Sequence, residues 1–93
     1  MAVLTDEQVD AELAQRTGWV REGASIVRRF PGRGGFVGSI ALVNAIVEPA
    51  EEMDHHPDLE ISWDTVTVTL STHSQGGVTE KDLELADTID ALA

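Results

Sequence analysis

The chain has 93 residues, 42% of them hydrophobic, and seventeen acidic against six basic side chains give it a formal net charge of −11. That length supports a single domain over residues 1–93 with one core, and that charge repels phosphate backbones and anionic lipid heads, which argues against direct nucleic-acid or membrane binding. With no cysteine in the chain, disulfides, thiolate nucleophiles and cysteine zinc sites are excluded together.

Thr5, followed three residues later by Gln8, forms a capping box with Leu4 placed to staple onto Val9, and predicts a helix running to about Arg16. Thr17-Gly18 stops it. Residues 19–22 and 25–30 read as two short strands joined by a turn at Gly23-Ala24. Pro31-Gly32-Arg33-Gly34-Gly35 is a strong breaker that lacks the phosphate-loop pattern, so a plain connection is expected there. Beyond it Phe36, Ile40, Val43, Val47 and Ala50 recur at helical steps, with Leu42 and Ile46 widening the stripe, as a buried amphipathic helix demands. Pro49 inside this pattern predicts a kink or a break near residues 45–49. The run 36–47 is interrupted by Gly38, Ser39 and Asn44 and is too short to span a bilayer. The first residues lack the basic and apolar stretches of a secretion signal, and the expected location is the cytoplasm.

Leu59, Ile61 and Trp63 alternate on one face of a strand over residues 58–63, and Val66, Val68 and Leu70 do so over residues 65–70, with Asp64 at the turn between. Thr67, Thr69, Ser71 and His73 share the opposite face of the second strand, so His73 is expected to point away from the aliphatic layer. Gln75-Gly76-Gly77 releases the strand, and Thr79 with Asp82 caps a last helix whose stripe is Leu85, Ile89 and Leu92. The predicted fold is α+β: a four-stranded antiparallel sheet with three helices on one face, in the order α-β-β-α-β-β-α. With only two Trp and two Phe to supply bulk, such a domain gains stability by oligomerising.

All three histidines fall in two stations, His55-His56 before Pro57 and His73 after the second alternating strand. Imidazole is the side chain that ordinarily populates both protonation states near neutrality, so this clustering suits proton transfer. Two adjacent histidines alone could be no more than a polar helix end; the second station changes that reading. Glu51 and His55 are four residues apart and would share one helix face, while Pro57 biases His56 out of the helix so that the two rings aim differently. Glu51, His55 and His73 could alternatively form a two-histidine, one-carboxylate face for iron or zinc, although the HExxH spacing is missing.

These residues resemble the signature of the pterin-4a-carbinolamine dehydratases: an acidic residue, three residues, His-His-Pro, an aromatic after five more, a histidine after nine more and an aspartate further on. Glu51, His55-His56-Pro57, Trp63, His73 and Asp82 meet it at every step. Gly18-Trp19, Ser71-Thr72-His73 and Gly76-Gly77 add to the likeness. The resemblance implies dehydration of a 4a-hydroxytetrahydropterin to a quinonoid dihydropterin, with no metal or organic cofactor. It implies His55 and His73 as acid and base, His56 chiefly as a substrate contact and Glu51 as the group that orients them. Asp54 and the Ser71-Thr72 backbone would hold the pterin ring, and Trp19 would wall the pocket. A homodimer or tetramer is implied too, as is a non-catalytic alternative in which the fold serves as a dimerisation or protein-binding module. The segment from Phe30 to Phe36 departs from the phenylalanine-rich, partly basic strand common in that family.

Overall fold

A computed structural model describes residues 2–93. Its elements are α1 (Asp6–Leu13), β1 (Val20–Glu22), β2 (Ser25–Pro31), α2 (Phe36–Met53), β3 (Asp58–Ser62), β4 (Thr65–Leu70) and α3 (Glu80–Leu92). This is the order predicted from the sequence, and the strands form one antiparallel sheet arranged β1-β2-β4-β3. In the β2–β4 pair, Ile26 lies opposite Leu70 and Phe30 opposite Val66. Paired residues project to the same side of a sheet, so these and Val68 form the aliphatic layer that the helices cover.

Both capping boxes form, Thr5 with Gln8 on α1 and Thr79 with Asp82 on α3. Helix α1 ends at Leu13, short of Arg16, because the chain tightens there: Gln15 N–H donates to the Glu12 carbonyl and Arg16 N–H to the Leu13 carbonyl. Arg21 of β1 is tied to α1 through Asp10, and that hydrogen bond holds the Asp10 carboxyl below the usual carboxylate range. Among the described residues no helix is long and apolar enough to cross a membrane.

Helix α2 departs from expectation in two ways. It continues through Pro49 without a break. The carbonyl that loses its donor belongs to Ala45, on the exposed side of the helix, where solvent can serve in its stead. Its buried face is Ser39, Leu42, Ile46 and Ala50, whereas Phe36 and Val47 of the predicted stripe are 54% and 55% exposed. The helix is apolar around more than half of its circumference, and periodicity alone cannot tell which part faces the sheet.

The glycine-rich segment is the plain connection expected, stitched to the β3–β4 turn. Gly32 N–H donates to the Asp64 carbonyl at 2.5 Å, and the Ser39 hydroxyl donates to the Trp63 carbonyl at 2.8 Å. Trp63 leaves the predicted face of its strand: it takes φ 47° and is 71% exposed, so β3 stops at Ser62 and Trp63-Asp64 make the turn. A Cβ added at Gly38 would overlap the backbone of Arg33, because the first turn of α2 lies directly on this connection. Gly38→Ala, which would normally favour a helix, is therefore expected to destabilise the protein by about 1–3 kcal/mol. A lowered urea midpoint with unchanged slope checks this, and an unchanged midpoint contradicts it.

Candidate functional site

The first histidine station is built by the end of α2. Asp54 takes the left-handed conformation, φ 49° and ψ 45°; its N–H donates to the Glu51 carbonyl at 3.1 Å and that of His55 to the Ala50 carbonyl at 3.0 Å. Paired bonds of this kind close a helix C-terminus. Here they also turn His55 off the helix. The predicted Glu51–His55 pairing is thereby corrected: the Glu51 carboxylate pairs with Nε2 of His56 at the surface, and His55 swings inward.

His55 is 8% exposed, and its Nε2 lies 2.5 Å from Oδ1 of Asp82. Asp82 is fully buried. Its other oxygen accepts from the Thr72 hydroxyl at 2.8 Å and from the Thr79 N–H at 2.9 Å. A carboxylate oxygen accepts, so Nε2 is the ring nitrogen that donates to Asp82, and Nδ1 is the one turned away from it. No fully buried side-chain nitrogen or oxygen among the described residues lacks a partner, and Nδ1 makes no bond to any of them. It therefore lies at the ring's exposed margin, where a proton can be exchanged.

The second station follows β4. Thr72 pairs with Gly77 in an isolated bridge, and the N–H groups of Gln75 and Gly76 donate to the Thr72 carbonyl at 2.9 and 3.0 Å. This tight turn pushes His73 outward on the side predicted from the alternation. Its Nε2 is 3.8 Å from Oδ2 of Asp58, with both side chains more than 70% exposed. Such an exposed pair contributes little to stability, but it brings His73 to the strand that continues from His56-Pro57. The segments bearing the two stations are thus linked at the surface by the His73–Asp58 contact and inside by Asp82, which binds His55 and Thr72.

Other expected contacts give way. Trp19 does not wall this site: it is 4% exposed, packs edge-on against Phe30 and donates from Nε1 to Asp90, at the far end of α3 from Asp82. The Ser71 hydroxyl donates to the Ala24 carbonyl at 2.8 Å. Thr72 has its N–H, carbonyl and hydroxyl all engaged inside the protein. Asp54 is exposed beside the first station. Glu51, His55 and His73 do not converge, each facing a different partner, and among the described residues no three His, Asp or Glu side chains are arranged to hold a metal. His56 and Glu51 border an apolar hollow of about 170 Å³ floored by Val43, Ile46 and Leu59. A second hollow, of about 400 Å³ beside Arg28, Arg33 and Asp90, contains none of the histidines.

Sequence reasoning took Asp82 as a helix cap and a motif match and assigned it no place in the site. One signal was available. Val66, Val68, Leu70 and Thr72 stand at even steps, so a hydroxyl extends the aliphatic face of β4, and a hydroxyl there needs a buried partner.

Residues 2–92 match the family model described as pterin 4 alpha carbinolamine dehydratase. A protein of Mycobacteroides abscessus, provisionally named pterin-4-alpha-carbinolamine dehydratase, is 56% identical over 90 residues, covering 97% of this chain and 95% of that protein. One of Mycobacterium tuberculosis with the same provisional name is 50% identical over 94 residues, covering 99% and 97%. A solved structure from Brucella melitensis, described as a transcriptional coactivator/pterin dehydratase, has a TM-score of 0.89 at 33% identity and covers 98% of both chains.

Removing the Asp82 carboxylate would strand three donors at once. Asp82→Ala is expected to cost about 3 kcal/mol or more of unfolding free energy, measured by urea denaturation; a loss below about 1 kcal/mol would contradict the hydrogen-bonded arrangement.

Proposed function

Because this chain belongs to the pterin-4-alpha-carbinolamine dehydratase family, we propose that it dehydrates 4a-hydroxytetrahydropterin to quinonoid dihydropterin. That step recycles the pterin after an aromatic amino acid hydroxylase has used it. The observation that supports the reading is the buried Asp82 carboxylate, which binds His55 directly and also binds Thr72, the residue before His73.

In the reaction the C4a–O bond breaks as the hydroxyl takes a proton and leaves as water, and the N5 proton passes to a base as the N5–C4a double bond forms. His55 and His73 supply the acid and the base. For His55 the exchanging atom is Nδ1, since Nε2 is engaged by Asp82. His56, steadied by Glu51, is a substrate contact, with Asp54 beside it. Imidazoles suffice for both transfers, so the reading calls for no metal or organic cofactor. The cytoplasm is the expected compartment.

In a hydroxylase-coupled assay that follows the 4a-hydroxy adduct, His55→Ala and His73→Ala are each expected to lower turnover by about 10²-fold or more. An effect under about 3-fold would remove that residue from the proton transfers. His56→Ala and Glu51→Ala are expected to act alike, raising KM more than they lower kcat, because a contact used equally in ground and transition states affects binding alone.

A second reading, assembly with copies of itself or with another protein, is favoured by the α2 surface: Phe36, Val37, Ile40 and Val47 are 54%, 78%, 36% and 55% exposed. Contiguous apolar surface of this kind marks association. The 10.0 kDa chain is expected to sediment as a dimer or tetramer, and Val37→Asp with Ile40→Asp to reduce it to a monomer. A monomeric wild type would end the self-assembly half of this reading and leave the catalytic one standing.

A further inference from the structure

We infer that the Thr72 hydroxyl is a positioning group that fixes the Asp82 carboxylate and so aims the ring of His55. Its kinetic consequence rests on the dehydratase reading; its effect on the ring rests on geometry alone. Thr72 has a single hydroxyl proton, and that proton is committed to Oδ2 of Asp82 at 2.8 Å. The 2.8 Å contact between the Thr72 and Thr79 hydroxyl oxygens is therefore donated by Thr79. The chain of donation runs Thr79 to Thr72 to Asp82, and His55 Nε2–H meets the same carboxylate from the other side at 2.5 Å. With Oδ2 occupied by Thr72 and by the Thr79 N–H at 2.9 Å, the carboxylate cannot rotate, and Oδ1 is aimed at His55.

The same residue shapes the other station. Thr72 N–H donates to the Gly77 carbonyl at 2.9 Å, and the Thr72 carbonyl accepts from Gln75 at 2.9 Å and from Gly76 at 3.0 Å. Those bonds close the turn on which His73 stands. Residue 72 also continues the inward face of Val66, Val68 and Leu70, where an isosteric valine would fit the aliphatic pattern. The hydroxyl is thus the part of this side chain that packing does not require.

The test is Thr72→Val, with Thr72→Ser as the variant that keeps the hydroxyl, each read by ¹⁵N NMR of the imidazoles and by steady-state kinetics. In the wild type His55 is expected to show protonated Nε2 and unprotonated Nδ1. Thr72→Val is expected to shift and broaden the His55 ring signals as the Asp82 carboxylate loses its fixed aim, and to lower kcat by about 10-fold with KM nearly unchanged. Thr72→Ser is expected to retain the wild-type ring signature and recover most of the turnover. Thr72→Ala, read in the same two ways, replaces the valine variant if that one does not fold. A hydroxyl-free variant with the wild-type His55 ring signals and kcat, altered only in melting temperature, would overturn the inference. If the wild type proves inactive on the pterin, the dehydratase reading fails, while the NMR signature still decides the role of Thr72.

Discussion

One fully buried carboxylate, that of Asp82, holds together the end of this molecule that carries the proposed site. Taking such a charge out of water costs several kcal/mol unless its oxygens are satisfied, and here three donors satisfy them. They come from three places: His55 after α2, Thr72 after β4, and the Thr79 backbone at the start of α3. The interaction that caps α3 is therefore also the one that orients the ring of His55 and anchors the turn bearing His73. A cap usually concerns one helix; this one ties three segments whose relative positions decide whether the imidazoles can work on one molecule.

The parts of the fold governed by local rules were legible in the sequence. The two capping boxes, the alternation of Val66, Val68 and Leu70, and the turn at Gly23-Ala24 each follow from a few neighbouring residues, and together they give the element order. What could not be read depends on tertiary contacts. Helix α2 is apolar on too wide an arc for its pattern to choose between the Leu42-Ile46-Ala50 face and the Phe36-Val47 face. The spacing from Glu51 to His55 suggested a pair, but the left-handed turn at Asp54 falls between them and gives Glu51 to His56 instead. Trp19 carried a motif match, yet its neighbours Phe30 and Asp90 make it part of the core. Asp82 was visible as a cap; that it also receives His55 required the approach of a segment 27 residues away.

Electrostatics narrows what the site can accept. Each histidine faces its own carboxylate, Asp82, Glu51 or Asp58, within a chain of net charge −11. The surrounding field disfavours phosphorylated ligands, in keeping with the uncharged flat heterocycle of the proposed reaction. That proposed chemistry is likewise modest: no electron transfer and no covalent intermediate, only one proton given and one taken. Precise placement of two rings then matters more than any single strong interaction, which gives a buried, multiply bonded carboxylate its value despite its desolvation cost.

The most direct test of the central claim is a crystal structure of the wild-type protein with a dihydropterin bound. The expected result is a pterin ring within about 2.6–3.2 Å, hydrogen-bonding reach, of Nδ1 of His55 and of the His73 imidazole, with Asp82 still bridging His55 and Thr72. A ring seated instead in the hollow beside Arg28 and Arg33, or touching only one of the two stations, would contradict it.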